Sequence, residues 1–225
     1  MTRRYFSDMR DYLEALESHQ KLYRWERPIN KDTELMPLMR LQYRGIEDEK
    51  RQAFLFENVF DSRGKRHEIR VATGMYGASR DIVSLGLGCE DPRQIYEKWH
   101  QALAQPIATS IVEHAPVQEE VYTGGRLKQF GMTSLPAPVE EPGFSGRIRV
   151  TAPFITRDPE TGIRNVGMYS GHFRGEDRLI AGIAPVHHAM LYHHRSALER
   201  KQSLPVAIVL GALPDINIVS AANLP

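Results

Sequence analysis

The stretch "RIRVTAPFITRDPETGIRNVGMYSGHFRGEDRLIAGIA", residues 147–184, constrains the fold more than any other part of the chain. Two runs of about ten residues, rich in residues that favour a pleated surface, flank "DPETG". In that turn Asp158-Pro159 initiates and Gly162 can take a positive φ. The pair is therefore an antiparallel hairpin, which commits this half of the chain to antiparallel sheet. A second turn, "RGED", follows. If Gly175-Glu176 form a two-residue loop, a glycine-first pair suits a type II′ turn. Arg174 then faces Asp177, and Asn165 falls opposite Val186, beside His187. A different loop length would shift that register.

The rest of the chain reads as two regions. Residues 1–115 form an α/β domain. "SDMRDYLEALESHQ" is an amphipathic helix with Met9, Tyr12, Leu13 and Leu16 on one face and Ser7 as its N-cap. "AFLFENV" and "HEIRVATGM" are strands separated by the turn "DSRGK". "DPRQIYEKWHQALAQ" starts at an Asp91 cap with Pro92 first in the helix, and Ile95, Trp99 and Leu103 form a stripe expected to face the core. Residues 116–225 form a β-rich domain. It begins with a long irregular connection, rich in glycine and proline, that serves as a linker or a functional loop. One helix, about Pro185 to Lys201, interrupts its strands, which include "RLIAGIA" and "PVAIVLGA".

Composition excludes several classes. With 29 basic and 28 acidic residues the net charge is +1, and no basic cluster marks a nucleic-acid surface. No apolar run approaches the ~20 residues of a membrane span. The start "MTRRYFSDMRDYLEALE" lacks the apolar centre of a signal peptide. The lone Cys89 gives no internal disulfide and fits a reducing, cytoplasmic setting.

"PVHHAMLYHHRSALERK" opens a helix. Neither His187 nor His188 has a histidine three or four residues on, so the usual helical zinc pair is absent. His187 and His194 are separated by ~10.5 Å along a helix axis. A metal at His187 must draw its other ligands from elsewhere, and Asn165 is the nearest candidate. On spacing alone the plainer reading outweighs a metal site. An asparagine at a strand end usually satisfies backbone groups, and a histidine at a helix start is usually half-buried and hydrogen-bonded. An amide oxygen with an imidazole nitrogen would suit Mn²⁺ or Mg²⁺.

The chain resembles the UbiD family of decarboxylases over nearly all its length. "TRDPETGIRNVGMY", then "IAPVHH", then "PVAIVLGALPDINIVSAANLP" carry the resemblance most specifically. "DMRDYLEALESHQKLYRWERPI", "LFENV" and "PVQEEVYTGGRL…LPAPVEEPG" add to it. The resemblance implies an α+β fold: an α/β N-terminal domain, then a split β-barrel flavin-binding domain that is incomplete here at its C-terminus. It implies prenylated FMN and a divalent ion, Mn²⁺ by family habit, that joins the protein to the cofactor phosphate, with K⁺ as a further ion. Asn165 and His187 match two metal ligands. Thr151 and Val166, Gly167 and Met168 match strand contacts to the flavin ring. Ser220 and Ala221 match the segment near the phosphate.

Two departures follow from the same comparison. The family commonly has an arginine directly after the tyrosine of "NVGMY", where it orients the substrate carboxylate; here that position is Ser170. Arg174 is a stand-in only if it is more than a solvated turn residue. The family's third ligand, a glutamate, and its catalytic carboxylates lie after the "AANLP" segment, beyond Pro225. Glu119, Glu120, Glu140 and Glu141 match no catalytic motif and read as solvated loop charges.

The implied reaction is reversible, non-oxidative decarboxylation of an aromatic or α,β-unsaturated acid, with CO₂ as product and a flavin prenyltransferase as cofactor supplier. The cofactor carries the hard step; the protein binds, orients and protonates. The expectation is a fragment or subunit of such an enzyme, as a homo-oligomer or in a hetero-complex with a chain supplying the C-terminal region. The alternative is a non-catalytic flavin-binding or partner subunit.

Overall fold

A computed structural model of the chain describes residues 5–140, 149–183 and 189–222. Helix α1, Met9–Ser18, is capped by Asp8, whose carboxylate accepts from the N–H groups of Arg10 and Asp11. Ser7, the expected cap, instead donates to Asp11 from its backbone and its hydroxyl. A charged acceptor in extended geometry is the stronger partner for the positive end of a helix. Tyr12 and Leu16 are buried and Met9 and Leu13 pack beside them, so the apolar face is as read.

The first region continues through β1 (Leu22–Trp25), β2 (Ile29–Asn30), α2 (Leu35–Gly45), β3 (Ala53–Phe56), β4 (Val59–Phe60), β5 (Arg66–His67), β6 (Val71–Thr73), α3 (Arg80–Gly86) and α4 (Ile95–Ala104). Strands β1, β3 and β6 make one sheet, parallel then antiparallel. Strands β2, β4 and β5 make a second, whose β4–β5 turn contains Gly64 at φ 81°. The alternation in "AFLFENV" sends Leu55 to a core of Tyr12, Leu16, Met39 and Ile82, and Phe56 to one of Ile29, Leu35 and Val59. Burying each large apolar side chain contributes about 1.5–3 kcal/mol.

Helix α4 departs from expectation. Asp91 does cap the turn before it, and Pro92 does stand first. Yet Ile95 and Trp99 are only half-buried and Leu103 is exposed. A cleft between α1 and this helix is lined by Gln94, Glu97, Lys98 and Gln101, so the face turned towards α1 is the polar one and not the stripe. The chain then runs as an extended arm in which Ile107, Ile111, Val112, Val117 and Val121 are all exposed.

The connection that follows is not structureless. It folds into short turns of helix, including α5, Leu127–Phe130, where Arg126 lies over the stacked rings of Tyr122 and Phe130. It is fastened to the first region by Lys31. That side chain is almost wholly buried, with Nζ 2.6 Å from Asp32 and 3.1 Å from the Ala137 carbonyl. The Val139 N–H donates to the Lys31 carbonyl, and His67 Nδ1 lies 3.1 Å from the Ser134 carbonyl.

The second region contains β7 (Arg149–Arg157), β8 (Arg164–Phe173), β9 (Leu179–Ala181), α6 (Ala189–Glu199), β10 (Val206–Ile208) and α7 (Pro214–Ser220). The strands form an antiparallel sheet in the order β10-β7-β8-β9. Gly162 takes φ 74° in the "DPETG" turn, as expected. The second turn differs. Phe173 pairs with Leu179 and the Arg174 N–H donates to the Arg178 carbonyl, so Gly175 to Asp177 form a three-residue loop. Gly175 lacks the positive φ that a II′ turn needs, and the register moves by one residue. The expected facing of Asn165 by Val186, beside His187, rests on residues outside those described, as does the segment from Pro185 to His188.

The two regions touch through α3 and α7. Gly86 lies against Pro214, where a Cβ would come within 2.7 Å of the proline ring. The Tyr76 hydroxyl donates to the Ala212 carbonyl at 2.6 Å, and burial pushes this phenol up to about 12.

Candidate active site

The "RNVGMYS" motif forms the centre of β8, and strand parity divides it. Asn165, Gly167 and Tyr169 face the same side as their cross-strand partners Thr156, Phe154 and Ala152. Helix α6 covers that side: the Met190 N–H donates to the Tyr169 hydroxyl, and Met190 joins Ala152, Phe154 and Tyr169 in a buried cluster. Gly167 is fixed by packing. A Cβ there would lie 2.6 Å from the Tyr169 ring.

Val166, Met168 and Ser170 face the other side, with Thr151 and the buried Pro153. Ser170 Oγ and Thr151 Oγ1 share a hydrogen bond of 3.0 Å. The residues expected to contact a flavin ring therefore divide: Thr151, Val166 and Met168 lie on one face and Gly167 on the other. Arg174 falls beyond the end of β8 and is exposed.

Asn165 is half-buried, and its carboxamide makes no hydrogen bond among the described residues. The backbone-satisfying role expected of a strand-end asparagine is not what this side chain does. His187, the other candidate ligand, lies outside the described residues. Among the described residues no group of three or more His, Cys, Asp or Glu could hold a metal.

Ser220 is buried and its hydroxyl donates to the Asn217 carbonyl at 2.7 Å. The N–H groups of Ala221 and Ala222 are taken by the carbonyls of Ile218 and Val219. These residues close the C-terminal end of α7, which favours a cation over an anion. Of the loop carboxylates, Glu120 accepts from the Tyr122 hydroxyl and Glu119 is exposed.

Sequence reasoning missed one polar pair. Thr156 Oγ1 and His193 Nδ1 share a buried hydrogen bond of 2.8 Å. One rung on, Ser196 donates to Asp158, and that carboxyl is held below its ordinary range by the Glu160 N–H and the Thr161 hydroxyl. The spacing contained a signal: Met190, His193 and Ala197 form the buried stripe of α6, and a histidine on such a stripe needs a partner.

Residues 13–103 match the 3-octaprenyl-4-hydroxybenzoate carboxy-lyase N-terminal domain, and residues 110–225 match the Rift-related domain of the same carboxy-lyase. The chain belongs to the UbiD family. It is 30% identical to a phenolic acid decarboxylase of Bacillus subtilis, over 97% of this chain and 46% of that protein. The UbiD-class enzyme HmfF from Pelotomaculum thermopropionicum, solved in complex with FMN, superposes with a TM-score of 0.76 at 25% identity, over 92% of this chain and 43% of that one. The Sedimentibacter hydroxybenzoicus vanillic acid decarboxylase shares the fold, with a TM-score of 0.80 at 23% identity over 97% and 46% of the two chains. The chain thus spans slightly less than half the length of the relatives it matches. Among the described residues no helix is long and apolar enough to cross a membrane.

Proposed function

We propose that this UbiD-family chain forms the N-terminal and flavin-binding part of a cytoplasmic carboxy-lyase. Its reaction is the reversible, non-oxidative decarboxylation of an aromatic or α,β-unsaturated acid. Residues 1–115 are its α/β domain and residues 116–225 the larger part of a split β-barrel. The observation that carries this reading is the carboxamide of Asn165, which makes no hydrogen bond among the described residues, on the strand that bears the family motif. The FMN-bound neighbour and the decarboxylase relatives support it.

An amide oxygen without a hydrogen-bond partner fits a hard divalent ion. Asn165 would hold Mn²⁺ together with His187, and the ion would supply positive charge beside a bound flavin. Prenylated FMN, when bound, supplies the electron sink that lets CO₂ leave an sp² carbon. The chain's own part is to bind and orient. Thr151, Val166 and Met168 offer one wall to the flavin, while Gly167 and Tyr169 hold the strand against α6. The carbonyl end of α7, at Ser220 and Ala221, would suit a cation such as K⁺. The acid that returns a proton to carbon comes from a region homologous to the second half of the relatives, in the same polypeptide or a partner subunit.

The test is co-production of the chain with a flavin prenyltransferase, followed by metal and flavin analysis. Asn165→Ala and His187→Ala should each lower both contents severalfold. Unchanged occupancy in both variants overturns the metal bridge. A second reading, a non-catalytic flavin-binding or partner subunit, is favoured by the resemblance, which matches Ser170 to a substrate-orienting arginine. On either reading the 225 residues alone should show no turnover with cofactor supplied, and turnover above background would count against both.

A further inference from the structure

Asn165 is directly opposite Thr156 on the β7–β8 ladder. Opposed residues share a face, with Cβ atoms about 4.5–5.5 Å apart, close enough for a hydroxyl to bond a carboxamide. A threonine facing an asparagine is placed to make that bond. Here it does not. The hydroxyl of Thr156 is turned to His193 Nδ1 at 2.8 Å, and Asn165 has no partner among the described residues.

The pair sits in a place where polar groups are costly. Thr156 is 2% and His193 7% exposed, beside the apolar cluster of Ala152, Phe154, Tyr169 and Met190. Apolar side chains of similar volume at both positions would pack there without needing a bond. A buried polar pair in such a setting points to a purpose other than stability.

We infer that His193 is a positioning residue that draws the Thr156 hydroxyl away from Asn165 and so keeps the Asn165 carboxamide oxygen open for a ligand. The Thr156 hydroxyl is taken as the donor of this bond and His193 Nδ1 as its acceptor. Remove the imidazole, and the freed hydroxyl donates instead to Asn165 Oδ1, the atom that a metal would need. The inference rests on the reading of Asn165 as a metal ligand, and it makes a prediction that a purely structural role does not. Removing His193 should harm the site, and then removing the Thr156 hydroxyl should repair it.

The experiment uses the 225-residue chain and two readouts. In metal-free protein, the Asn165 side-chain amide resonances are followed by NMR. In the same protein, Mn²⁺ affinity is followed by electron paramagnetic resonance titration. His193→Leu should shift the amide resonances and weaken Mn²⁺ binding about three- to tenfold, the worth of one competing hydrogen bond. His193→Leu with Thr156→Val should return both towards the parent values. His193→Gln, whose carbonyl can accept from Thr156, should stay near the parent and serves if the leucine variant does not fold. A double variant no better than His193→Leu overturns the inference, as do unshifted amide resonances in His193→Leu. Unchanged Mn²⁺ affinity in Asn165→Ala, or no Mn²⁺ binding by the parent chain, overturns the ligand reading instead; the amide resonances still decide what His193 does.

Discussion

Thr151 and Ser170, directly opposed on β7 and β8, share a hydrogen bond of 3.0 Å between their hydroxyls. Ser170, matched by the family resemblance to a substrate-orienting arginine, is here engaged across the ladder. Serine cannot make the bidentate, charge-assisted pair that a guanidinium makes with a carboxylate. An assembly built on this chain would hold its acid by other means. Ser170→Arg would break the Thr151 contact and place a charge on a sheet face that has a hydroxyl pair there instead. It should lower kcat/KM of the complete assembly about tenfold, the effect of roughly 1.4 kcal/mol. Steady-state kinetics decides, and a higher kcat/KM would shift the balance to a non-catalytic natural role.

Lys31 joins the first region to the connection that leads into the β-rich region. Its ammonium is buried against Asp32 and the Ala137 carbonyl. Removing one partner of a buried pair leaves the other uncompensated, at a cost of about 3–5 kcal/mol when burial is complete. Asp32 retains some solvent contact, so Lys31→Met should cost about 2–3 kcal/mol by urea denaturation. Hydrogen exchange should quicken at Val139, whose N–H is held by the Lys31 carbonyl. A stability within about 0.5 kcal/mol of the parent, the range of an ordinary surface change, would refute this.

Asp32 also makes stability depend on pH. Burial opposes its ionisation, but Lys31 and the Ser62 N–H outweigh that and hold the carboxyl below its ordinary 3.8. The unfolded state therefore binds the proton more readily. The contribution is complete above the ordinary value and is lost as pH falls through the folded one. Urea midpoints from about pH 6 to about pH 2 should show the parent losing its advantage over Asp32→Asn as the carboxyl protonates. A constant gap across that range would show that Asp32 titrates normally.

Gly86 faces Pro214, with Tyr12 behind it. A methyl group at Gly86 meets a rigid ring that cannot swing aside. Gly86→Ala should destabilise by about 1–3 kcal/mol. Combined with Pro214→Gly, the loss should be smaller than the sum of the two single losses, because that change removes the Cβ that the new methyl meets. Additive losses in the double variant would mean that the clash lies elsewhere.

Much of this architecture was legible from the residues, because period and turn chemistry act locally. The apolar face of α1, the β7–β8 hairpin and the positive φ of Gly162 follow from spacing alone. What failed depended on non-local circumstances. The α4 stripe has core-like spacing, yet spacing does not say whether another layer arrives to cover Leu103. The β8–β9 register turned on one backbone angle at Gly175. Asn165 was singled out through its motif, but Thr156 and His193 were not, since their meeting depends on how α6 lies across the sheet.

The contact of Tyr76 with Ala212 joins residues 136 apart in the chain. Synthesis at ~5–20 residues per second puts roughly 7–27 s between their appearances. The core around Tyr12, Leu16, Leu55 and Ile82 is drawn wholly from residues made before α4, so it can close first. During the interval the groove at Gly86 and the Tyr76 hydroxyl stay open on a nascent surface that only α7 will seal. The last helix described thus acts as a clasp whose arrival order is fixed by translation, and a ribosome stalled before Pro214 would present this core complete in sequence but unlatched.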